Sequence, residues 1–187
     1  MKRRCGFLFP ASMAFSLGLL GPGLWARAQD RGEVVELGKL KSRVPADWAA
    51  VKPDDRSGYK QYRLGPVGDD IDHASLTMDF VGKGRGDNAA EQIERWNAMF
   101  LPPAGKKLDD VARVRKLQVG GAAVTYLDIH GDYKGLPGNP ATPRQNYRLL
   151  GVYFATPQGP CLIRLFGPAD TVEFYRKGFE DWVEAFK

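Results

Sequence analysis

The chain has 187 residues and a formal net charge of +5, from 27 Lys and Arg against 22 Asp and Glu. Four of the basic residues, Lys2, Arg3, Arg4 and Arg27, fall within the first 28 positions, which hold no acid, so residues 29–187 carry 23 basic and 22 acidic side chains, a net of +1. That balance gives no support for the strong basic stripe with which a nucleic-acid binder displaces counterions, and no nucleic-acid partner is expected.

The first 28 residues have the three parts of a secretory signal peptide. Lys2, Arg3 and Arg4 open it, an uncharged and mostly apolar run extends from Cys5 to Trp25, and Ala26-Arg27-Ala28 offers a small-residue cleavage site before Gln29. Pro10, Pro22 and four glycines interrupt the run, and its densest part, Met13 to Leu20, falls well short of the roughly 20 apolar residues that span a bilayer. The expectation is an exported protein, periplasmic or secreted, with no transmembrane segment once the signal is cleaved. Residues 29–187 are long enough to bury a core as one domain. Cys161 is then the single remaining thiol, so packing rather than a disulfide must hold that domain.

In chain order, Gln29 to Glu33 is a polar leader, and the alternation of Leu40, Ser42 and Val44 with Lys39, Lys41 and Arg43 predicts a half-buried strand. Trp48 to Pro53 is a short extended piece, Asp54 to Gly58 a loop, and Tyr59 to Leu64 a strand with Tyr62 and Leu64 on one face. Ile71 to Val81 is the clearest strand, with Ala74, Leu76, Met78 and Phe80 pointing one way. Asn88 and Glu91 have the spacing of a capping box, and Ala89, Ile93, Trp96 and Phe100 form the apolar stripe of a helix that Pro102-Pro103 stops. Val111 to Val119 reads as a charged edge strand. Ala122 to His130, Tyr147 to Ala155 and Cys161 to Phe166 follow, the middle one apolar on both faces and so central. A last helix has a capping box at Asp170 and Glu173, with Val172, Tyr175, Phe179, Trp182, Val183 and Phe186 as its buried stripe. The fold class is α+β: a single domain whose antiparallel sheet is covered by two main helices, sandwich-like in α/β/α layers.

This order resembles the PsbP-like superfamily over roughly residues 36–187. The resemblance is carried by the opening Val44-Pro45-Ala46-Asp47-Trp48, the helix holding Trp96, and Phe166-Gly167-Pro168 before the last helix. It implies an exported or organelle-targeted domain acting as an accessory or assembly subunit, which favours binding over chemistry.

For function, the segment Gly131 to Gln145 stands out. Fifteen residues join two strands where a hairpin usually needs about 2–5. Pro137, Pro140 and Pro143 lie three apart, the spacing of one edge of a polyproline II helix, with Tyr133 and Leu136 at the base. These five residues are the candidate partner-binding set, for an envelope protein. Asp128, His130 and Asp132 offer metal ligands or an acid/base pair, with His73 as a fourth polar group if its strand neighbours theirs, and read otherwise as polar residues on a wet sheet face. Asp69-Asp70-Ile71-Asp72 lacks the spacing of a calcium loop, and Ser75 beside His73 lacks a nucleophile turn. Cys161 reads as a buried thiol. Gly82 to Gly86 lacks the P-loop ending, and Arg85-Gly86-Asp87 spells an adhesion tripeptide; both read as a flexible turn. No catalytic, cofactor or metal residue is assigned. The function expected is an exported, non-catalytic binding or accessory protein of the cell envelope. The alternative is a small-molecule carrier, or an enzyme, with a pocket between sheet and helices lined by Tyr126, Tyr147, Tyr153, Phe154 and Trp182.

Overall fold

In the computed structural model, residues 32–51, 59–84, 88–136 and 139–187 are described. The signal-like segment, the loop at residues 52–58 and the Arg85-Gly86-Asp87 tripeptide lie outside the described residues.

Strands β1 (Val34–Leu37) and β2 (Leu40–Arg43) form a small antiparallel hairpin. Then come β3 (Ala49–Ala50), β4 (Lys60–Leu64), β5 (Ala74–Phe80), α1 (Ala89–Asn97), β6 (Phe100–Leu101), the one-turn α2 (Leu108–Val111) and β7 (Ala112–Val119). The last four elements are β8 (Ala122–Leu136), β9 (Asn139–Thr156), β10 (Gly159–Pro168) and α3 (Ala169–Glu184). The main sheet is antiparallel throughout, in the order β3-β4-β5-β10-β9-β8-β6, with β7 also paired to β8.

Alternation along each strand sorts the side chains between two faces. Leu76, Met78, Tyr126, Leu150, Val152, Phe154, Ile163 and Leu165 share one buried cluster with Val172, Phe179, Trp182 and Val183 of α3. The β1–β2 hairpin belongs to the same core through Val35 and Leu37, and the Ser42 hydroxyl donates to the Trp182 carbonyl at 3.0 Å. On the other face, Leu127, Ile129 and Leu149 pack with Ile93 and Trp96 of α1 and with Phe100. β9 therefore feeds both cores, which explains its apolar run: Leu149 and Leu150 are each 0% exposed and look in opposite directions.

Two departures from the sequence reading have local causes. The first helix stops at Asn97, ahead of the prolines, because the chain turns back to pair Phe100 and Leu101 with Tyr133 and Asp132. Its start is as expected, with Asn88 Oδ1 accepting from the Ala90 N–H at 2.9 Å and Asn88 Nδ2 donating to Glu91. The last helix has no capping box at Asp170. β10 runs straight into it through Pro168, whose side chain can accept nothing, and a distant residue substitutes. The Asp70 carboxylate accepts from the Thr171 N–H at 3.0 Å and from the Thr171 hydroxyl at 2.6 Å, and that hydroxyl in turn accepts from the Val67 N–H. The acidic turn before β5 is thus a cap delivered in space. β1 and α2 are additions that the sequence reading did not contain.

Gly151 shows how tightly the second core closes. A Cβ there would lie 2.7 Å from two carbons of the Trp96 ring, so the ring lies directly against the β9 backbone. Gly151→Ala should destabilise the fold by about 1–3 kcal/mol, because a rigid indole cannot yield by rotating a flexible end. Combining it with Trp96→Phe should cost less than the sum of the single changes in urea titrations. Additive losses would contradict this contact.

Candidate functional site

The segment expected to be a polyproline loop is the end of a hairpin. β8 continues to Leu136 and β9 begins at Asn139, so Tyr133, Pro140 and Pro143 all lie in strands, paired as Tyr133 with Arg144, Gly135 with Pro140 and Leu136 with Asn139. Pro137 lies outside the described residues. The proline spacing misled because a bulged ribbon absorbs proline. Between Gly131–Tyr147 and Tyr133–Arg144 one residue of β8 faces two of β9, and between Tyr133 and Gly135 one faces three. Within the first bulge Asn146 takes φ 53°, a left-handed conformation that asparagine tolerates, and its N–H donates to Asp132 Oδ1 at 3.2 Å. Gly131 is needed on the facing strand, since a Cβ would sit 2.3 Å from the Leu101 carbonyl oxygen.

The base of this arm is fastened on several sides. The Lys134 N–H donates to the Met99 carbonyl at 2.9 Å, and the Tyr133 ring packs on Phe166 with centroids 4.7 Å apart. Tyr147 donates its hydroxyl to Asp72 at 2.6 Å, while Arg144 donates to the Tyr147 oxygen at 2.9 Å and reaches Asp72 at 3.3 Å. Asp70 and Asp72 are both held, one by α3 and the other by the arm, and between them Ile71 stands 91% exposed. Beyond the base the arm has no neighbouring strand among the described residues. β10 pairs with β9 only as far as Tyr147, and β6 pairs with β8 only at Asp132 and Tyr133. Residues 142–146 are exposed.

A second polar region occupies a 280 Å³ cleft lined by Asp110, Val111, Arg113, Asp128, His130, Arg148 and Ala169. Asp128 and His130 share a face of β8, as their spacing required, and Arg148 stands opposite His130 on β9. Arg148 decides the chemistry. Its Nε and Nη2 donate to the two oxygens of Asp128 at 2.8 and 2.7 Å, and its Nη1 donates to Glu173 of α3, which also pairs with Arg176. The Asp128 hydrogen bonds raise the Arg148 pKa above its ordinary value, and Arg176, with a smaller share from Arg148, holds Glu173 below its own. Asp128 is thus engaged as a bidentate acceptor rather than as the orienter of a catalytic histidine. The network clamps β8 and β9 to the first turns of α3.

The other candidates separate. His73 precedes β5, which β10 and β9 separate from β8, so the two histidines do not share neighbouring strands. Among the described residues no three His, Cys, Asp or Glu side chains gather as a metal group would. Cys161 is buried, and desolvation, followed by the charge of Asp79, pushes its thiol up to about 12. Tyr126, Phe154 and Trp182 are core: Phe154 stacks edgewise on Phe186 and Trp182 on Trp48. Sequence reasoning missed Arg148, the one charged residue in the apolar run Tyr147 to Ala155. That position was the available signal.

Neither a family model nor a curated protein matches the sequence. Among solved structures the chain is similar to PA94 from Pseudomonas aeruginosa, a protein of unknown function, at 12% identity and a TM-score of 0.48, covering 81% of this chain and 93% of that one. It is also similar to cyanobacterial PsbP (CyanoP) from Synechocystis sp. PCC 6803, at 13% identity and a TM-score of 0.46, covering 83% and 91%. The second is of the type that the order of elements resembles. Both are likenesses of fold alone.

Burial, then the positive charge of Arg148, keeps the pKa of His130 below the ordinary 6.5. As pH falls, the unfolded chain takes up this proton before the folded one does. The contribution to stability is whole above about 6.5 and is lost as pH falls through the folded value. Between about pH 7.5 and 5.5 the urea midpoint should therefore drop less in His130→Asn than in the parent chain. Equal drops would contradict the assignment.

Proposed function

We propose that this chain is an exported, non-catalytic binding protein of the cell envelope, and that it engages another protein through the β8–β9 arm. The observation that carries the reading is the arm itself: a ribbon anchored at Tyr133, Arg144 and Tyr147 that continues past both neighbouring strands, its edges unpaired among the described residues. Open strand edges are costly to leave exposed in an isolated domain, and they suit strand addition by a partner. Ile71, exposed between the hydrogen-bonded Asp70 and Asp72, adds an apolar contact where the arm leaves the sheet. The signal-like first 28 residues support export. No helix among the described residues is long and apolar enough to cross a membrane. Against chemistry stands the commitment of Asp128 and Arg148 to one another and to α3.

Replacing Gly135 to Pro143 by Asn-Gly would close the hairpin just beyond the Lys134–Met99 bond and the Tyr133–Arg144 pair. This variant, and Ile71→Asp separately, should keep stability within about 0.5 kcal/mol of the parent. Crosslinking and co-purification of the tagged chain from its native envelope should capture a stoichiometric protein that both variants lose. Equal capture by parent and variants, or none by either, would overturn the proposal.

A further inference from the structure

Beyond α1 and toward β5, the second face of the sheet is polar, and among the described residues the part-buried Arg164 on it forms no ion pair. Arg164 of β10 lies opposite Thr77 of β5 on one side and opposite Gly151 of β9 on the other. The Trp96 ring occupies the space over Gly151, so the arginine is walled on that flank. Its Nε is buried and donates to no protein atom. Arg115, Arg144, Arg148 and Arg176 all close on carboxylates; among the described residues Arg164 does not, and unlike Arg63, Arg95 and Arg113, which also form no ion pair but are exposed, it is part-buried. Asp79, one pleat along on the same face, is exposed and forms no ion pair with it. An unpaired, part-buried guanidinium is expensive, and such a group is kept where an anion completes it.

The surroundings specify the anion. Arg164 lines a 160 Å³ cavity with Ser75, Thr77, Met99, Tyr133, Leu149 and Phe166. Gln61 Nε2 donates to Ser75 Oγ at 3.1 Å, which leaves the serine proton free to donate elsewhere. Hydroxyls of Ser75 and Thr77 therefore stand beside the planar fork of Arg164, with no carboxylate in the lining. Met99, Leu149 and Phe166 make the remaining wall apolar. The volume is close to that of a cavity of about 150 Å³ that admits benzene. We infer that this cavity binds a small organic carboxylate with an apolar body, its carboxylate on Arg164 and the two hydroxyls, its ring or short chain against Phe166, Met99 and Leu149. The site is independent of the arm, although Tyr133 lies at the edge of both.

The test is an amide NMR titration of the purified chain with benzoate, benzyl alcohol and inorganic phosphate. Benzoate should saturably shift Thr77, Arg164 and Phe166. It should bind more tightly than benzyl alcohol, which lacks the charge, and than phosphate, which lacks the apolar body. Arg164→Gln should weaken benzoate at least about tenfold and leave benzyl alcohol unchanged. Thr77→Val, which keeps the shape of the strand, should weaken it at least about threefold and serves if Arg164→Gln disturbs the fold. No saturable shift at those residues, phosphate or benzyl alcohol binding as well as benzoate, or benzoate indifferent to whichever variant retains the fold, would each overturn the inference.

Discussion

The β8–β9 ladder is the constraint on which the rest depends. Its proximal half is largely buried on both faces, because Tyr126, Leu150, Val152 and Phe154 pack with α3 and the β1–β2 hairpin on one side and Leu127, Ile129 and Leu149 with Ile93 and Trp96 of α1 on the other. A strand buried on two sides cannot slip by one residue without exchanging its cores, and in β9 that exchange would carry Arg148 into the position of Leu149. Once this register holds, the other strands and helices have determined places. The distal half of the same ladder continues through two bulges, exposed from Thr142 to Asn146, and becomes an arm.

Charge then fixes what packing leaves loose. Each join between layers at this end of the molecule is made by one acid reaching a residue distant in sequence. Asp70 reaches α3, Asp72 reaches the arm, and Asp128 and Glu173 share Arg148 across β8, β9 and α3. Asp72 and Glu173 keep about half of their side-chain surface in water, so such pairs give direction to the packing more than raw stability. Arg164 breaks the pattern, since the same kind of side chain, half-buried, faces a cavity in place of an acid.

Much of this fold was legible in the sequence because periodicity reports burial. The two-residue alternation in Ala74 to Met78 and Cys161 to Leu165 and the stripe of α3 all reflect which side is wet. The α+β class and the antiparallel sheet followed from these, and the burial of Tyr62, Leu64 and Cys161 agrees with them. What periodicity cannot report is a partner in space. Asp70 looks like a turn residue until α3 arrives beside it, and Asp170 with Glu173 matches a capping box while Glu173 is drawn to Arg148 and Arg176. The proline spacing after Gly135 describes an extended chain equally well in a bulged strand and in a polyproline helix, and only pairing with β8 separates the two. Arg164 reads as an alternating polar residue on a wet face. Its isolation from acids is a fact of three dimensions.

The central claim is that one ladder serves as core at one end and as a separable arm at the other. Residue-resolved hydrogen exchange under native conditions tests it most directly. The account predicts that amides of Val124 to Ile129 and Leu149 to Phe154 exchange only with global unfolding, while those from Gly135 to Leu136 and Thr142 to Arg144 exchange through local opening at far lower free energy. Protection of the arm equal to that of Leu149 and Leu150 would contradict it, because the arm would then be part of the core.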